Sequence, residues 1–493
     1  MTIAATRSGK IEGVEQEGVL VFRGIPFAAP PTGRLRFRPP VREEPWDGVR
    51  DATRFGSDIA QADLPVARML GSGGAASSED GLYLNVWTPA CDDARRPVMV
   101  WIHGGAYIFG SGSVSWYDGK HFAQHGDVVI VTLNYRLAQL GFLHLADCMG
   151  PDLAGSGNAG ILDQIAALEW VRDSIAAFGG NPDNVTIFGE SAGANSVATL
   201  LALPRAHGLF HKAIAQSAAG AWVSTRERAA KIAQRTLERL GVQTGDIDAL
   251  RALPASDLLA ANPDLSDEAN GGVAALPWQP VIDGDVLAES PLDAVTAGGA
   301  AGVHLLTGTN QHEITLFQIL DPSLADLDDA AILDRLGDLV PDPALLLHAY
   351  REVTPEASAK DIWSELATDA VFRIPAVRLA EAQSAHAPVW MYRFSWESPV
   401  FGGVLRSTHA LEIPFVFDTL HELGADRFTG NGPERAAIAV TMHRAWIAFA
   451  HTGDPGWPQY EAGRRATIRF DTEVEVLDDP DGAQRRAWES ELT

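Results

Sequence analysis

From residue 97 onward, short runs that are apolar at every position alternate with longer stretches of helical spacing. Val98-Met99-Val100-Trp101-Ile102 and Val128-Val129-Ile130-Val131 predict strands buried on both faces, because a strand with one wet face would alternate apolar and polar residues. Between Ile161 and Phe178, Ile165, Leu168 and Val171 fall on one side, with Asp163, Glu169 and Arg172 elsewhere. That spacing predicts a helix, stopped by Gly179-Gly180-Asn181-Pro182. Val185-Thr186-Ile187-Phe188 then reads as a strand, Ala192 to Leu203 as a helix, and Val303 to Leu306 and Val389 to Tyr392 as later strands.

Strands and helices taken in turn predict a largely parallel central sheet flanked by helices, the α/β class. Segments around 225–300 and 318–385, rich in Ala, Leu, Asp and Glu, read as helical insertions that cap the carboxyl edge of the sheet. The opening segment alternates around Gly18 and then meets Pro26, Pro30, Pro31, Pro39 and Pro40. It predicts hairpin strands followed by an extended crossing, without a helix. No repeat or low-complexity linker divides the chain, so residues 1–493 are read as one domain with helical insertions.

Composition narrows the functional classes. A formal charge of −26 repels a phosphate backbone and an anionic membrane surface, which argues against nucleic-acid and membrane partners. No apolar run reaches transmembrane length, and residues Met1 to Lys10 contain no signal-peptide core. Cys91 and Cys148 are the two cysteines, too few for a disulfide framework. A reduced, cytoplasmic compartment is therefore expected.

Against that background, Gly189-Glu190-Ser191-Ala192-Gly193 fits G-x-S-x-G between a predicted strand and a predicted helix, the setting in which this motif presents a nucleophilic serine. A serine hydroxyl needs a base, an acid to orient the base, and donors for the anion that forms on attack. His103-Gly104-Gly105-Ala106-Tyr107 follows the strand ending at Ile102 and has small residues where backbone N–H groups must approach an oxygen. Gly105, Ala106 and Ala192 are the expected oxyanion donors; His103 is expected to position backbone. The chain order serine, acid, histidine leaves His409, His421, His443 and His451 as bases. His409 stands in a loop-like entry to an apolar run, whereas His443 and His451 fall on or after a helical stretch. Glu313, after the strand at 303–306, is one of several acids that could orient the base. No metal or organic cofactor is expected for this chemistry.

The segments Phe22-Arg23-Gly24-Ile25-Pro26-Phe27-Ala28, Ser78 to Val86, Gly157 to Gln164, Gly189 to Gly193, His409 to Phe417 and Phe449 to Pro455 run nearly end to end through the chain. On these segments it resembles the type B carboxylesterase family of α/β-hydrolases, and within it the bacterial para-nitrobenzyl-esterase-like members. The resemblance implies Ser191 as nucleophile, His409 as base and Glu313 as acid, acting on small-molecule carboxylic esters of short-chain acyl or aryl type through an acyl-enzyme. It also supports Gly105, Ala106 and Ala192 as donors, and implies that Ser217 hydrogen-bonds near the acid and base.

Three departures accompany the resemblance. Gly81 stands where many animal relatives have a disulfide cysteine. Residues Gln61 to Gly74 contain no tryptophan, which removes the aromatic partner that cholinesterases place there for a quaternary ammonium. Gln311, His312 and Ile314 differ from the commoner surroundings of the acid. Trp222, Phe317, Trp363 and Phe372 are candidate pocket aromatics. A relative without catalysis, used for protein recognition, and an amidase are the competing readings. The complete set of matching triad positions argues against the first, and the sequence leaves the second open.

Overall fold

A computed structural model describes residues 2–71, 76–262, 276–319, 321, 324, 326–337 and 339–492. Residues 263–275 of the first expected insertion, residues 320, 322, 323, 325 and 338 of the second, and residues 72–74 of the tryptophan-free segment lie outside the described residues.

The sheet is built from β1 (Thr2–Ala5), β2 (Lys10–Gln16), β3 (Val19–Pro26), β4 (Tyr83–Thr88), β5 (Arg96–Ile102), β6 (Val129–Leu133), β7 (Gly180–Glu190), β8 (Lys212–Gln216), β9 (His304–Asn310), β10 (Val389–Phe394), β11 (Ala466–Phe470) and β12 (Glu475–Asp478). Their spatial order is β1-β2-β3-β4-β6-β5-β7-β8-β9-β10-β11-β12, with Val49–Asp51 pairing alongside β2. From β6 to β11 every neighbouring pair is parallel, and the amino-terminal hairpins and β12 add antiparallel edges. The runs expected to be buried on both faces are so: Val98, Val100 and Ile102 join one core, while Met99 and Trp101 join the other.

The covering helices are α1 (Lys120–Gly126), α2 (Ala159–Ser174), α3 (Ala192–Ala202), α4 (Pro291–Thr296), α5 (Ile374–Ser384) and α6 (Glu434–Thr452). Residues of α1 and α6, such as Phe122, Met442 and Trp446, pack on the Met99 and Trp101 face. Ile165, Leu168, Val197, Leu200, Val295 and Leu379 from α2 to α5 pack on the other. α4 and α5 fall inside the expected insertions but serve the sheet itself. The parallel pairs β8–β9 and β9–β10 need crossovers that return over one face, and these helices lie in those crossovers. The helices at 329–337, 343–353 and 359–368 instead share a separate small core, closed by Trp488 of the carboxyl-terminal helix.

Parallel register puts the ends of neighbouring strands side by side. Gly189 pairs with Ile102, Glu190 with Gln216, Gln216 with Gly308, and Asn310 with Phe394. The segments containing the glycine loop, the G-x-S-x-G turn and the expected acid therefore leave the sheet at one edge, where open parallel sheets place their binding crevices.

Candidate active site

β7 ends at Glu190 and α3 begins at Ala192, so Ser191 alone makes the turn. Its φ of 57° and ψ of −124° lie in territory that L-residues other than glycine seldom occupy, and such strain marks functional turns. The turn is held because Ser191 N–H donates to the Gln216 carbonyl at 2.9 Å. A Cβ on Gly193 would stand 2.0 Å from the Ile102 carbonyl oxygen, so only glycine lets the start of α3 close onto β5. The glycine loop presses against the same turn: a Cβ on Gly104 would lie 3.0 Å from Ser191 Cβ.

Gly105 and Ala106 both have positive φ, 105° and 53°. Among the described residues none accepts a hydrogen bond from the N–H of Gly105 or Ala106, and Ala192, as the first residue of α3, has no intrahelical acceptor for its own. The three expected donors thus have no acceptor among the described residues, and Ala192 stands at a helix start whose dipole favours negative charge. His103 stays out of this arrangement. Its ring stacks on Tyr135 with centroids 4.4 Å apart, and burial lowers its pKa to about 4, which keeps it neutral as a positioning group.

His409 and Glu313 meet directly. His409 Nδ1 lies 2.7 Å from Glu313 Oε2, and Glu313 Oε1 accepts from Asn310 N–H at 2.7 Å. The other late histidines are occupied elsewhere: His443 Nδ1 lies 2.8 Å from the Val416 carbonyl, His451 Nε2 2.7 Å from the Gly126 carbonyl, and His421 Nε2 3.5 Å from Glu422. No hydrogen bond joins Ser191 Oγ to His409. His409 Nε2 instead sits 3.1 Å from Glu190 Oε1, the residue just before the serine.

Sequence reasoning missed this role for Glu190, although its place inside the G-x-S-x-G turn was a signal that its side chain would face the base. It missed Glu412 as well. That fully buried carboxylate accepts from Asn310 Nδ2 at 2.7 Å and Gln216 Nε2 at 3.1 Å. Three carboxyl groups therefore surround one imidazole. Burial, reinforced by Glu412 and Glu313, pushes Glu190 well above the carboxylate range. Burial and Glu313 likewise raise Glu412 to about 7. Burial disfavours imidazolium at His409, but the pull of Glu190, the Glu313 hydrogen bond and the remaining carboxyls outweigh it and raise the pKa to about 9. Because Glu190 is itself held toward its neutral form, its pull on His409 is weaker than that of a full carboxylate.

Ser217 departs from expectation. It follows β8 with φ 58° and donates its N–H to the Gly308 carbonyl, but its buried hydroxyl has no hydrogen-bond partner among the described residues. The aromatics divide. A cavity of about 580 Å³ is lined by Trp222, Phe317 and Trp363 together with Ile314, Leu366 and Ala370. Phe317 also lies 5.4 Å, ring to ring, from His409, which ties the cavity to the base. Phe372 is not a lining residue: it is fully buried in a single π turn, between Trp222 at 5.6 Å and His409 at 4.8 Å. The wider turn carries its ring inward, so it supports the base rather than the cavity wall.

Comparisons with known proteins identify the family and the fold. The profile described as the Carboxylesterase family matches residues 1–488. The chain is 41% identical over 502 residues to the para-nitrobenzyl esterase of Bacillus subtilis (strain 168), covering 98% of each chain. It is 35% identical over 492 residues to the phenmedipham hydrolase of Pseudarthrobacter oxydans, covering 94% of each. The crystal structure of the Geobacillus stearothermophilus carboxylesterase EST55 at pH 6.2 superposes with a TM-score of 0.90 at 46% identity, covering 99% of this chain and 100% of that one.

Proposed function

Because the chain belongs to the carboxylesterase family, has the α/β-hydrolase fold and is a carboxylic ester hydrolase, we propose that Ser191, His409 and Glu313 perform the hydrolysis as a triad through an acyl-enzyme. The observation that carries this reading is the 2.7 Å contact of His409 Nδ1 with Glu313 Oε2 beside the strained turn at Ser191.

In the first half-reaction, His409 Nε2 takes the Ser191 proton while Oγ bonds to the ester carbonyl carbon. The tetrahedral oxyanion is met by the N–H groups of Gly105, Ala106 and Ala192, and Glu313 steadies the imidazolium. Collapse breaks the bond to the alkoxy oxygen, which leaves as alcohol with the proton from His409. Water then repeats the sequence on the acyl-enzyme, releasing the acid and restoring Ser191. The serine to histidine hydrogen bond forms as substrate seats, as is usual where the free enzyme shows a loose catalytic contact.

The substrates are small esters with short acyl or aryl groups. An apolar cavity of about 580 Å³ suits ligands of that size, and a para-nitrobenzyl ester, named for the Bacillus relative, is one such aryl compound. No helix among the described residues is long and apolar enough to cross a membrane. Cys91 and Cys148 are both free thiols. The test is hydrolysis of para-nitrophenyl acetate and butyrate by wild type and Ser191→Ala, with intact mass after an organophosphonate. Turnover and one adduct, both lost in the variant, are expected; a variant that keeps either would remove Ser191 from the mechanism.

A further inference from the structure

Away from the catalytic edge, α1 turns two imidazoles toward one carboxylate. His121 Nδ1 lies 3.2 Å and His125 Nδ1 3.9 Å from the same Asp418 Oδ2, and one donor atom from each of the three residues falls within 4.8 Å of the others. Residues four apart on a helix share a face, so the sequence of α1 is enough to pair the two histidines. Asp418 comes from a segment far along the chain, where it is held firmly. Phe417 before it is fully buried, Thr419 after it donates its hydroxyl to the Trp116 carbonyl at 2.9 Å, and its own φ is 57°.

We propose that His121, His125 and Asp418 bind a divalent transition-metal ion of the zinc class. An Asp418–His121 hydrogen bond alone would leave His125 unexplained, since 3.9 Å is beyond hydrogen-bond reach and yet its ring nitrogen addresses the same oxygen. Around a tetrahedral ion with metal–nitrogen bonds of about 2.0 Å, ligand atoms stand about 3.3 Å apart. The observed separations approach this, and the half-exposed His125 is free to close the difference. Two imidazoles and a carboxylate favour zinc, copper or nickel over calcium or magnesium. Water would complete the shell on the exposed side, which is also the entry path. His421 stacks on the His121 ring with centroids 5.1 Å apart and planes at 21°, and limits its rotation.

The ion would join α1 to the segment that runs from His409 through Phe417, two stretches far apart in sequence. It would therefore act as a clamp on the fold rather than as a participant in hydrolysis, stabilising the folded form by mass action.

The experiment uses full-length, untagged protein freed of metal with a chelator. Cobalt(II) titration is followed by its visible absorption, then displaced with zinc, for wild type, His125→Gln and Asp418→Asn. Melting is followed with and without zinc. Wild type should take up one equivalent with the absorption of a low-coordinate site, and zinc should raise its Tm. Each variant should bind at least about tenfold more weakly, as losing a direct ligand must exceed the effect of losing its outer support, and zinc should leave its Tm unchanged. His125 is half exposed, so its variant should fold and hydrolyse esters as wild type does in the absence of metal. Equal cobalt affinity in wild type and His125→Gln, or no stoichiometric uptake by folded wild type, would overturn the proposal.

Discussion

Glu313 holds His409 twice: its Oε2 lies 2.7 Å from Nδ1 and its carbonyl accepts from the His409 N–H at 3.3 Å, while its Oε1 is committed to the Asn310 N–H. A carboxylate anchored in this way fixes both the plane of the imidazole and its tautomer, with the proton on Nδ1 and the lone pair on Nε2.

Glu313→Gln should therefore leave the fold intact and lower kcat for para-nitrophenyl acetate by about 10⁴-fold, the loss seen when a triad acid becomes an amide and the wrong tautomer is favoured. KM should change little, because Glu313 is fully buried behind the imidazole. A fall of less than about tenfold would show that another group orients His409.

The contact between His409 Nε2 and Glu190 Oε1 predicts a pH effect. Hydrolysis needs neutral imidazole, so kcat/KM should rise with pH along a limb set by His409 in the free enzyme. Glu190 is among the groups that raise His409 toward about 9. Glu190→Gln removes the fraction of charge that this carboxyl carries, so the limb should move to lower pH, by less than the shift of about one unit or more expected of a fully ionised neighbour. Superimposed profiles would mean that Glu190 is neutral throughout the range.

The fold was legible where burial on both faces leaves a continuous apolar run, as at Val98 to Ile102, and where glycine forces a stop, as at Gly179 with its φ of 75°. Ser191, Gly105 and Ala106 could be read because local sequence alone dictates a tight strand-to-helix turn and a loop of small residues. The neighbourhood of His409 could not. Its surroundings come from β7, β9 and the loop after β10, and sequence spacing does not reveal that Glu190, Glu313 and Glu412 converge. For the same reason the sequence offers Phe372 as a candidate cavity residue: periodicity does not disclose a π turn.

The cavity wall makes a prediction about substrate size. Ala370 lines it together with Trp222 and Phe317, and is itself only partly buried. Ala370→Phe should fill part of the volume and lower kcat/KM for para-nitrobenzyl or butyrate esters about tenfold relative to acetate, since apolar group size is worth about 1 to 3 kcal/mol per methylene in such pockets. An unchanged ratio would place the substrate elsewhere.

The buried Arg136–Asp163 pair makes the last prediction, about stability. Asp163 on α2 is fully buried and accepts from Arg136 N–H at 3.0 Å, Nε at 2.7 Å and Nη2 at 2.6 Å. Burial raises the Asp163 pKa in spite of the guanidinium beside it, so desolvation exceeds the attraction and the intact pair is a poor source of net stability. Breaking it is a different matter. Asp163→Asn would leave the Arg136 charge buried among groups arranged for a carboxylate, at a cost of about 3 to 5 kcal/mol. Denaturant unfolding should show that loss as a lower midpoint, while KM for a small ester stays near the wild-type value because neither residue lines the cavity. If the midpoint moved by less than about 1 kcal/mol, water or a rearranged partner must satisfy Arg136, and the pair would not be what locks α2 to the segment after β6.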